Sequence, residues 1–372
     1  MRPSEAQPGA VLLLEGTPYE RGRAQAALCP ELIDHVRHAV QHRLHQTEAA
    51  YAKDEVRGFV DGQRAATLRL WPEVLEEIRG IADGFELAPE TVFDYLHCSS
   101  AADVAGLPEH EAEGCTSFAV TADEGALVAK NRDYRPEHIP IQRVIRHVDP
   151  ACRGREILVL GSLGSPGNFS SGMNSDGLAV ADTASRTTDI GIGFHRYFLL
   201  TWLLVHCDSV DAALRAIRGM THTGGGLLVL GDASGAVAAV ELGHRHLGFE
   251  QLSSGRVGRS NHFVTPHMAP LNMRAPANAA SLANSKRRFP ALQRRLAALQ
   301  ARPGIDDAGA ILADHGQADD GFCRHGGPQL STTIAGALWI TGDRRLLHVA
   351  GNPCCDHWRS YGLPATGVVA AA

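Results

Sequence analysis

The chain has 372 residues, 44% hydrophobic and 20% charged, enough for two average domains or one large layered domain with an ample core. Its net charge of −6 is spread along the chain and leaves no basic stripe to follow a phosphate backbone, so no nucleic-acid partner is expected. The longest apolar run, Tyr197 to Val205, is about half of what a membrane span needs, and MRPSEAQPGAVLLLEG is broken too early by Glu15 for a secretory signal; no membrane partner is expected, and the expected location is the cytoplasm.

Residues 18–30, 31–50 and 51–70 carry apolar side chains at helical spacing; Pro72 opens a further amphipathic stretch, and Pro89 to Leu96 gives a short helix. Residues 104–114 (VAGLPEHEAEG) are acidic and poor in apolar side chains, as in an exposed linker. After Cys115 the pattern turns to strands. TSFAVT alternates, ADEG turns and ALVAKN continues, which predicts a hairpin over 116–131. Residues 157–161 and 177–182 read as strands, 194–219 as helical, and 227–242 as a second hairpin turning at Asp232 to Gly235. Short strands follow in 246–264. Residues 285–301 and 305–315 are helices in spite of Pro290, and 333–351 is a third hairpin around Gly342 and Asp343. A helical first third followed by strands in blocks predicts a layered α+β fold and not an alternating βαβ sheet. The chain has no fixed-period repeat, and Gly224 to Gly226 fits neither a dinucleotide fingerprint nor a P-loop.

The eight cysteines show no CxxC spacing, which argues against a disulfide framework and against a structural zinc site; the vicinal pair Cys354 and Cys355 is given no redox role. Of the nineteen histidines, His206, His222, His244, His246, His262 and His267 fall close together, and HRH at 244–246 would put two imidazoles on one face of a strand. Without an HExxH pattern, no metal and no cofactor are expected.

Cys115 stands apart because GCTSF opens a strand directly after an exposed acidic linker. Gly114 is small enough to let the thiol approach the preceding carbonyl. An N-to-S acyl shift and hydrolysis would release a new N-terminus at Cys115. Its α-amino group, with a pKa of about 7.7–8.0, would serve as the base for the thiol. The hairpin returns Arg132 and Asp133 (in KNRDY) beside the start of the strand, where a carboxylate would hold the new ammonium and Arg132 would steady the carboxylate or an oxyanion. Taken alone, Cys115 also reads as a buried strand cysteine, and Arg132 with Asp133 as an exposed ion pair of little worth.

GCTSF followed by NRDY resembles the acyl-coenzyme A:6-aminopenicillanic acid acyltransferase family of N-terminal nucleophile hydrolases, which is similar in turn to the choloylglycine and penicillin V hydrolases. The eighteen positions from Cys115 to Asp133 fit that resemblance, as do GTPYERGRAQ (16–25), EIRGIADGF (77–85), GMNSDGL (172–178), SNHF (260–263), SKRRF (285–289), GFCRH (321–325) and GNPC (351–354). The resemblance implies a four-layer αββα sandwich cut between Gly114 and Cys115. A helical pro-segment, 1–114, would stay bound as a heterodimer partner to a catalytic chain, 115–372. It implies Cys115 as nucleophile, Asp133 as the catalytic aspartate, Asn261 as oxyanion donor and Asn174 as a second polar group near the site. An amide donates without titrating; outside the resemblance both asparagines read as turn residues. Tyr134, Arg288 and Arg324 are the substrate-binding candidates, the arginines suited to a carboxylate. EHEAEG before the cysteine departs from the family's more neutral run.

The leading expectation is an amidase working through a Cys115 thioester on a small-molecule amide or acyl substrate. The rival delivers the same acyl group, possibly from acyl-coenzyme A, to an amine. A third reading is an uncleaved scaffold, and a papain-like hydrolase is a fourth, although that chemistry wants its cysteine at a helix N-terminus.

Overall fold

A computed structural model describes residues 11–107, 114–149, 152, 154–167, 170–274, 278–317, 320–326, 331–355 and 358–364. The first ten residues and the acidic segment 108–113, the centre of the expected linker, lie outside the described residues.

The chain opens with β1 (Leu12–Glu15) and α1 (Pro18–Leu28). A reciprocal cap fixes that helix start: Thr17 N donates to Glu20 Oε2 at 2.8 Å and Glu20 N to Thr17 Oγ1 at 3.3 Å, with Pro18 in the first turn. Next come α2 (Ile33–Gln46), α3 (Glu48–Tyr51), α4 (Asp54–Leu70), α5 (Glu73–Gly84) and α6 (Pro89–Val104). The last outruns the expected stop at Leu96 because Cys98, Ala101 and Ala102 go on burying a small-residue face. The strand half contains β2 (Thr116–Ala122), β3 (Gly125–Tyr134), β4 (Gln142–Val148), β5 (Glu156–Ser162), β6 (Ser171–Asn174) and β7 (Ala179–Ala184). Helices α7 (Arg196–His206) and α8 (Val210–Arg218) interrupt it, before β8 (Gly226–Gly231), β9 (Val237–Leu242), β10 (Leu247–Leu252) and β11 (Arg256–Arg259). The chain closes with α9 (Ala279–Ala298), α10 (Ile305–Leu312), β12 (Thr332–Ile340), β13 (Arg345–Ala350) and β14 (Arg359–Gly362).

These strands form an eight-stranded sheet, β1-β4-β5-β6-β7-β8-β9-β10, and a six-stranded sheet, β11-β2-β3-β12-β13-β14. The period-two alternation of strand side chains sorts them into layers. In β2 and β3, Ala119, Ala126 and Val128 face the other sheet, while Phe118, Val120, Leu127 and Ala129 face α9 and α10 through Leu292, Leu296, Ile311 and Leu312. In the larger sheet Leu158, Leu160, Val229 and Ala239 face inward, while Ile157, Val159, Leu228 and Val240 pack on Phe85, Phe93, Phe198 and Leu203 of the other helical layer. The result is helix, sheet, sheet, helix: the αββα sandwich. Alanine and valine dominate between the sheets and bring them close, so that a Cβ on Gly231 would stand 2.7 Å from both Ala126 and Val128.

Several expectations change. Strands β1, β4, β6 and β14 were not expected; QRVIRHV of β4 is an edge-proximal strand whose arginines hide its alternation. The first third is not purely helical, since Leu12–Glu15 pairs in parallel with Ile145–Val148. Residues 244–246 form the turn between β9 and β10, with His244 Nδ1 on His222 O at 2.7 Å and His246 Nδ1 on Asp189 Oδ2 at 3.1 Å, so no shared strand face presents the two rings. Among the described residues no helix is long and apolar enough to cross a membrane.

Candidate active site

The hairpin β2–β3 carries the site at its open end. Thr116 pairs with Asn131 and Ala122 with Gly125, so Cys115, one residue before β2, lies beside Arg132 and Asp133. The thiol is buried and held by a main-chain fork: Sγ accepts from Asp133 N at 3.4 Å and lies 3.5 Å from Asp133 O. Strand alternation then sends Arg132 and Asp133 to opposite faces. Arg132 points between the sheets, donating to Gln142 Oε1 at 3.0 Å and Ser162 Oγ at 2.9 Å. It neither meets the Asp133 carboxylate nor forms the exposed pair that the bland reading allows; both side chains are buried. Tyr134, at the same end, meets His138 edge-on at 4.5 Å between ring centres.

The Asp133 carboxylate lies on the α9–α10 side. Thr333 Oγ1 donates to its Oδ1 at 2.7 Å and in turn accepts the Arg324 amide at 2.8 Å. Its other oxygen, Oδ2, is buried without a hydrogen-bond donor among the described residues, 4.0 Å from Arg324 Nε. Burial raises the Asp133 pKa; Arg324, the Thr333 hydroxyl, Arg288 and Lys130 pull it back. Arg324 Nη1 is likewise buried without an acceptor. Gly114 is wedged against both groups: a Cβ there would overlap Arg324 Nη1 and stand 2.6 Å from Asp133 Oδ2.

Arg288 of α9 ties the pieces together. Its Nη1 donates to Cys115 O at 2.8 Å and Thr116 Oγ1 at 2.9 Å, its Nη2 to Asn261 Oδ1 at 2.7 Å, and its Nε to Asn284 Oδ1 at 2.9 Å. Burial lowers its pKa to about 10, which still leaves it charged at neutral pH. The fork expected to grip substrate is therefore committed to the protein. It also orients Asn261: with Oδ1 on Arg288, the amide NH₂ turns the other way and gives Ala184 O one N–H at 3.0 Å. A cleft of about 250 Å³, lined by Asn284, His315, Cys323, Arg324, His325 and Ser331, opens beside Arg324.

Asn174 is not part of this cluster. It sits at the far end of β6, donating to Leu204 O at 2.8 Å and Cys207 O at 2.7 Å and accepting from Asp176 N and Leu178 N at 3.2 and 3.0 Å. With both amide hydrogens and its oxygen engaged, it has nothing to offer an oxyanion. Residues the sequence did not single out do line the site. Thr333 holds Asp133, Asn284 holds Arg288, and Lys130, two residues before Arg132, donates to Asp182 O at 2.6 Å between the sheets. Nothing in TTIAG or ANSKR marks them: Thr333 and Lys130 gain their roles from partners 200 and 52 positions away, and Asn284, one helical turn before Arg288, matters only because Arg288 reaches Cys115.

The chain matches the family model described as acyl-coenzyme A:6-aminopenicillanic acid acyl-transferase over residues 120–354. That span includes Asp133, Asn261, Arg288 and Arg324 and begins just after Cys115. No curated protein gives a significant match. Among solved structures, the chain is similar to a conjugated bile acid hydrolase from Clostridium perfringens, at 13% identity, 68% of this chain, 98% of that one and a TM-score of 0.43. It is also similar to a penicillin V acylase from Agrobacterium tumefaciens, at 11% identity, 63% of this chain, 82% of that one and a TM-score of 0.38.

Proposed function

This chain belongs to the acyl-coenzyme A:6-aminopenicillanic acid acyl-transferase family, and from that premise we propose that it cuts itself between Gly114 and Cys115 and then cleaves amide bonds through a thioester on Cys115. The observation that carries the proposal is the pair of incomplete groups around Gly114. Among the described residues of the uncut chain, Asp133 Oδ2 has no hydrogen-bond donor and Arg324 Nη1 no acceptor. Breaking the bond beside them makes an ammonium on Cys115 and a carboxylate on Gly114, the two groups that would complete them. An unmet buried polar atom costs about 1–3 kcal/mol, so the cut relieves a cost already present in the precursor.

The steps follow from the groups at hand. Sγ of Cys115 attacks the Gly114 carbonyl, the C–N bond breaks, and the acyl group passes from nitrogen to sulfur; water then hydrolyses the thioester. The freed α-amine, held by Asp133, takes the thiol proton. The thiolate attacks the substrate carbonyl, and the developing oxyanion accepts from the remaining N–H of Asn261. The leaving amine recovers the proton from the α-ammonium, and a second water releases the acid. Arg288 positions Cys115 and Asn261, while Arg324 faces the cleft and suits a substrate carboxylate.

Strand β1 and the shared helical core support a segment 1–114 that remains bound after the cut, as one half of a heterodimer. Cysteines that include a reactive thiol fit the reducing cytoplasm. The family's own description favours a second reading, in which an amine and not water takes the acyl group.

Intact mass and denaturing gels of the wild type beside Cys115→Ala test the cut. Two fragments in the wild type, the second starting at Cys115, and one chain in the mutant are expected. A wild-type chain that stays whole on prolonged incubation overturns the mechanism and leaves the scaffold reading. Product analysis with and without added amines then separates hydrolysis from transfer.

A further inference from the structure

In the wall of the cleft, on either side of Arg324 in sequence, four residues from two separate segments converge. His315 follows α10, Cys323 and His325 flank Arg324, and Cys354 follows β13. One ligand atom from each lies within 4.8 Å of all the others. Cys323 Sγ is 3.6 Å from Cys354 Sγ, His315 Nε2 is 3.2 Å from His325 Nε2, and His325 Nε2 is 3.7 and 3.1 Å from the two sulfurs. We propose that His315, Cys323, His325 and Cys354 form a tetrahedral zinc site that clamps the Arg324 loop to the segment after β13.

The nitrogen–nitrogen and sulfur–sulfur spacings are those of a coordination tetrahedron, and His315 lies within 4.8 Å of both sulfurs. With Zn–S near 2.3 Å and Zn–N near 2.0–2.1 Å, the tetrahedron's edges are about 1.6 times the bond length, or roughly 3.3 Å between nitrogens and 3.8 Å between sulfurs. Two thiolates with two imidazoles are the donor set that selects zinc over harder cations. The surroundings hold these donors in place. Asp314 O accepts the amides of both Phe322 at 2.8 Å and Cys323 at 3.0 Å, closing the loop so that His315 faces Cys323. A Cβ on Gly321 would collide with His315 O, so only glycine permits that closure. Asn352 donates to Cys323 Sγ at 3.5 Å and to Arg324 O at 2.7 Å, an outer contact of the kind that orients a metal-bound thiolate. Binding deprotonates both thiols and releases two protons, leaving a neutral centre. No CxxC appears because the two sulfurs stand thirty-one positions apart.

The site does not depend on self-cleavage and is tested in both the wild type and Cys115→Ala, purified without a histidine tag. About one zinc per chain is expected to survive dialysis. Cobalt(II) should give the near-ultraviolet sulfur charge-transfer band and intense visible bands of a tetrahedral S₂N₂ centre. Both should vanish in Cys354→Ser and in His315→Ala, whose side chains are exposed and whose loss spares the core, and both should persist in Cys355→Ser. Asn352→Ala should weaken zinc about 10–100-fold. Absence of the charge-transfer band, or equal binding in Cys354→Ser, overturns the site. So does a Cys323–Cys354 disulfide in freshly purified protein, seen as a mass lower by two hydrogens with both thiols shielded from alkylation.

Discussion

The two ends of the β2–β3 hairpin use similar side chains to opposite effect. At the turn end, Thr341 Oγ1 accepts from Ala126 N at 2.7 Å and lies 2.9 Å from both Ala126 O and Asp232 O, while Asn174 meets two donors and two acceptors. At the open end, Thr333 and Asn261 are as well placed, yet a buried carboxylate oxygen and a guanidinium nitrogen beside them have no hydrogen bond among the described residues. Closed networks rigidify; open ones keep a group in reserve for a bond not yet formed. Residue type therefore says less about chemistry than the completeness of a residue's hydrogen bonding.

The sharpest way to break this contrast is at Cys115. Cys115→Ala should abolish both self-cleavage and turnover, as read by intact mass and an amide assay. Gly114→Ala should slow the cut while leaving the fold intact, because its methyl displaces the Arg324 side chain and crowds Asp133 Oδ2. Next come the two asparagines. Asn261→Ala should lower kcat by about 10²–10³ with little change in melting temperature. Asn174→Ala should do the reverse, costing about 3 kcal/mol or more of stability by orphaning Leu204 O, Cys207 O and two amides, with turnover per folded molecule unchanged. Equal kinetic losses in the two variants would erase the distinction between the ends. Thr333→Val should be milder, about 1 kcal/mol, appearing as a several-fold loss of rate and a shift in its acid limb once Asp133 loses a donor.

The smallest effect is a pH trend from outside the site. Burial lowers the pKa of His97 to about 4 and of His147 to about 3, whereas in the unfolded chain both sit near 6.5. Below pH 6.5 the unfolded chain binds protons that the folded one refuses. Their neutral burial is thus compatible with full stability above that value, and stability is lost as pH falls toward 4. Melting temperatures should decline across that window and decline less in His97→Leu. A flat profile would show that neither ring stays neutral.

Much of this architecture can be read from the sequence. Helical spacing in residues 18–84, alternation in TSFAVT, and the continuous apolar runs LLVLG and TIAGALWI, buried on both faces, set the element types, because apolar faces must be buried whatever covers them. The GCTSF–NRDY spacing put Cys115 beside Asp133 because a tight hairpin brings equal distances on either side of its turn together. The parallel pairing of β1 with β4 joins Leu12 to Ile145 and Glu15 to Val148, positions too far apart in the chain to leave a local signature. The sequence by itself thus determined the layered class, the Cys115–Asp133 juxtaposition and the family. Tertiary structure alone decided that Asn261 and not Asn174 meets Arg288, which face Arg132 takes, and that His315, Cys323, His325 and Cys354 meet. Those outcomes depend on contacts between segments tens to hundreds of residues apart, and side-chain periodicity encodes which face is buried but not what lies opposite it.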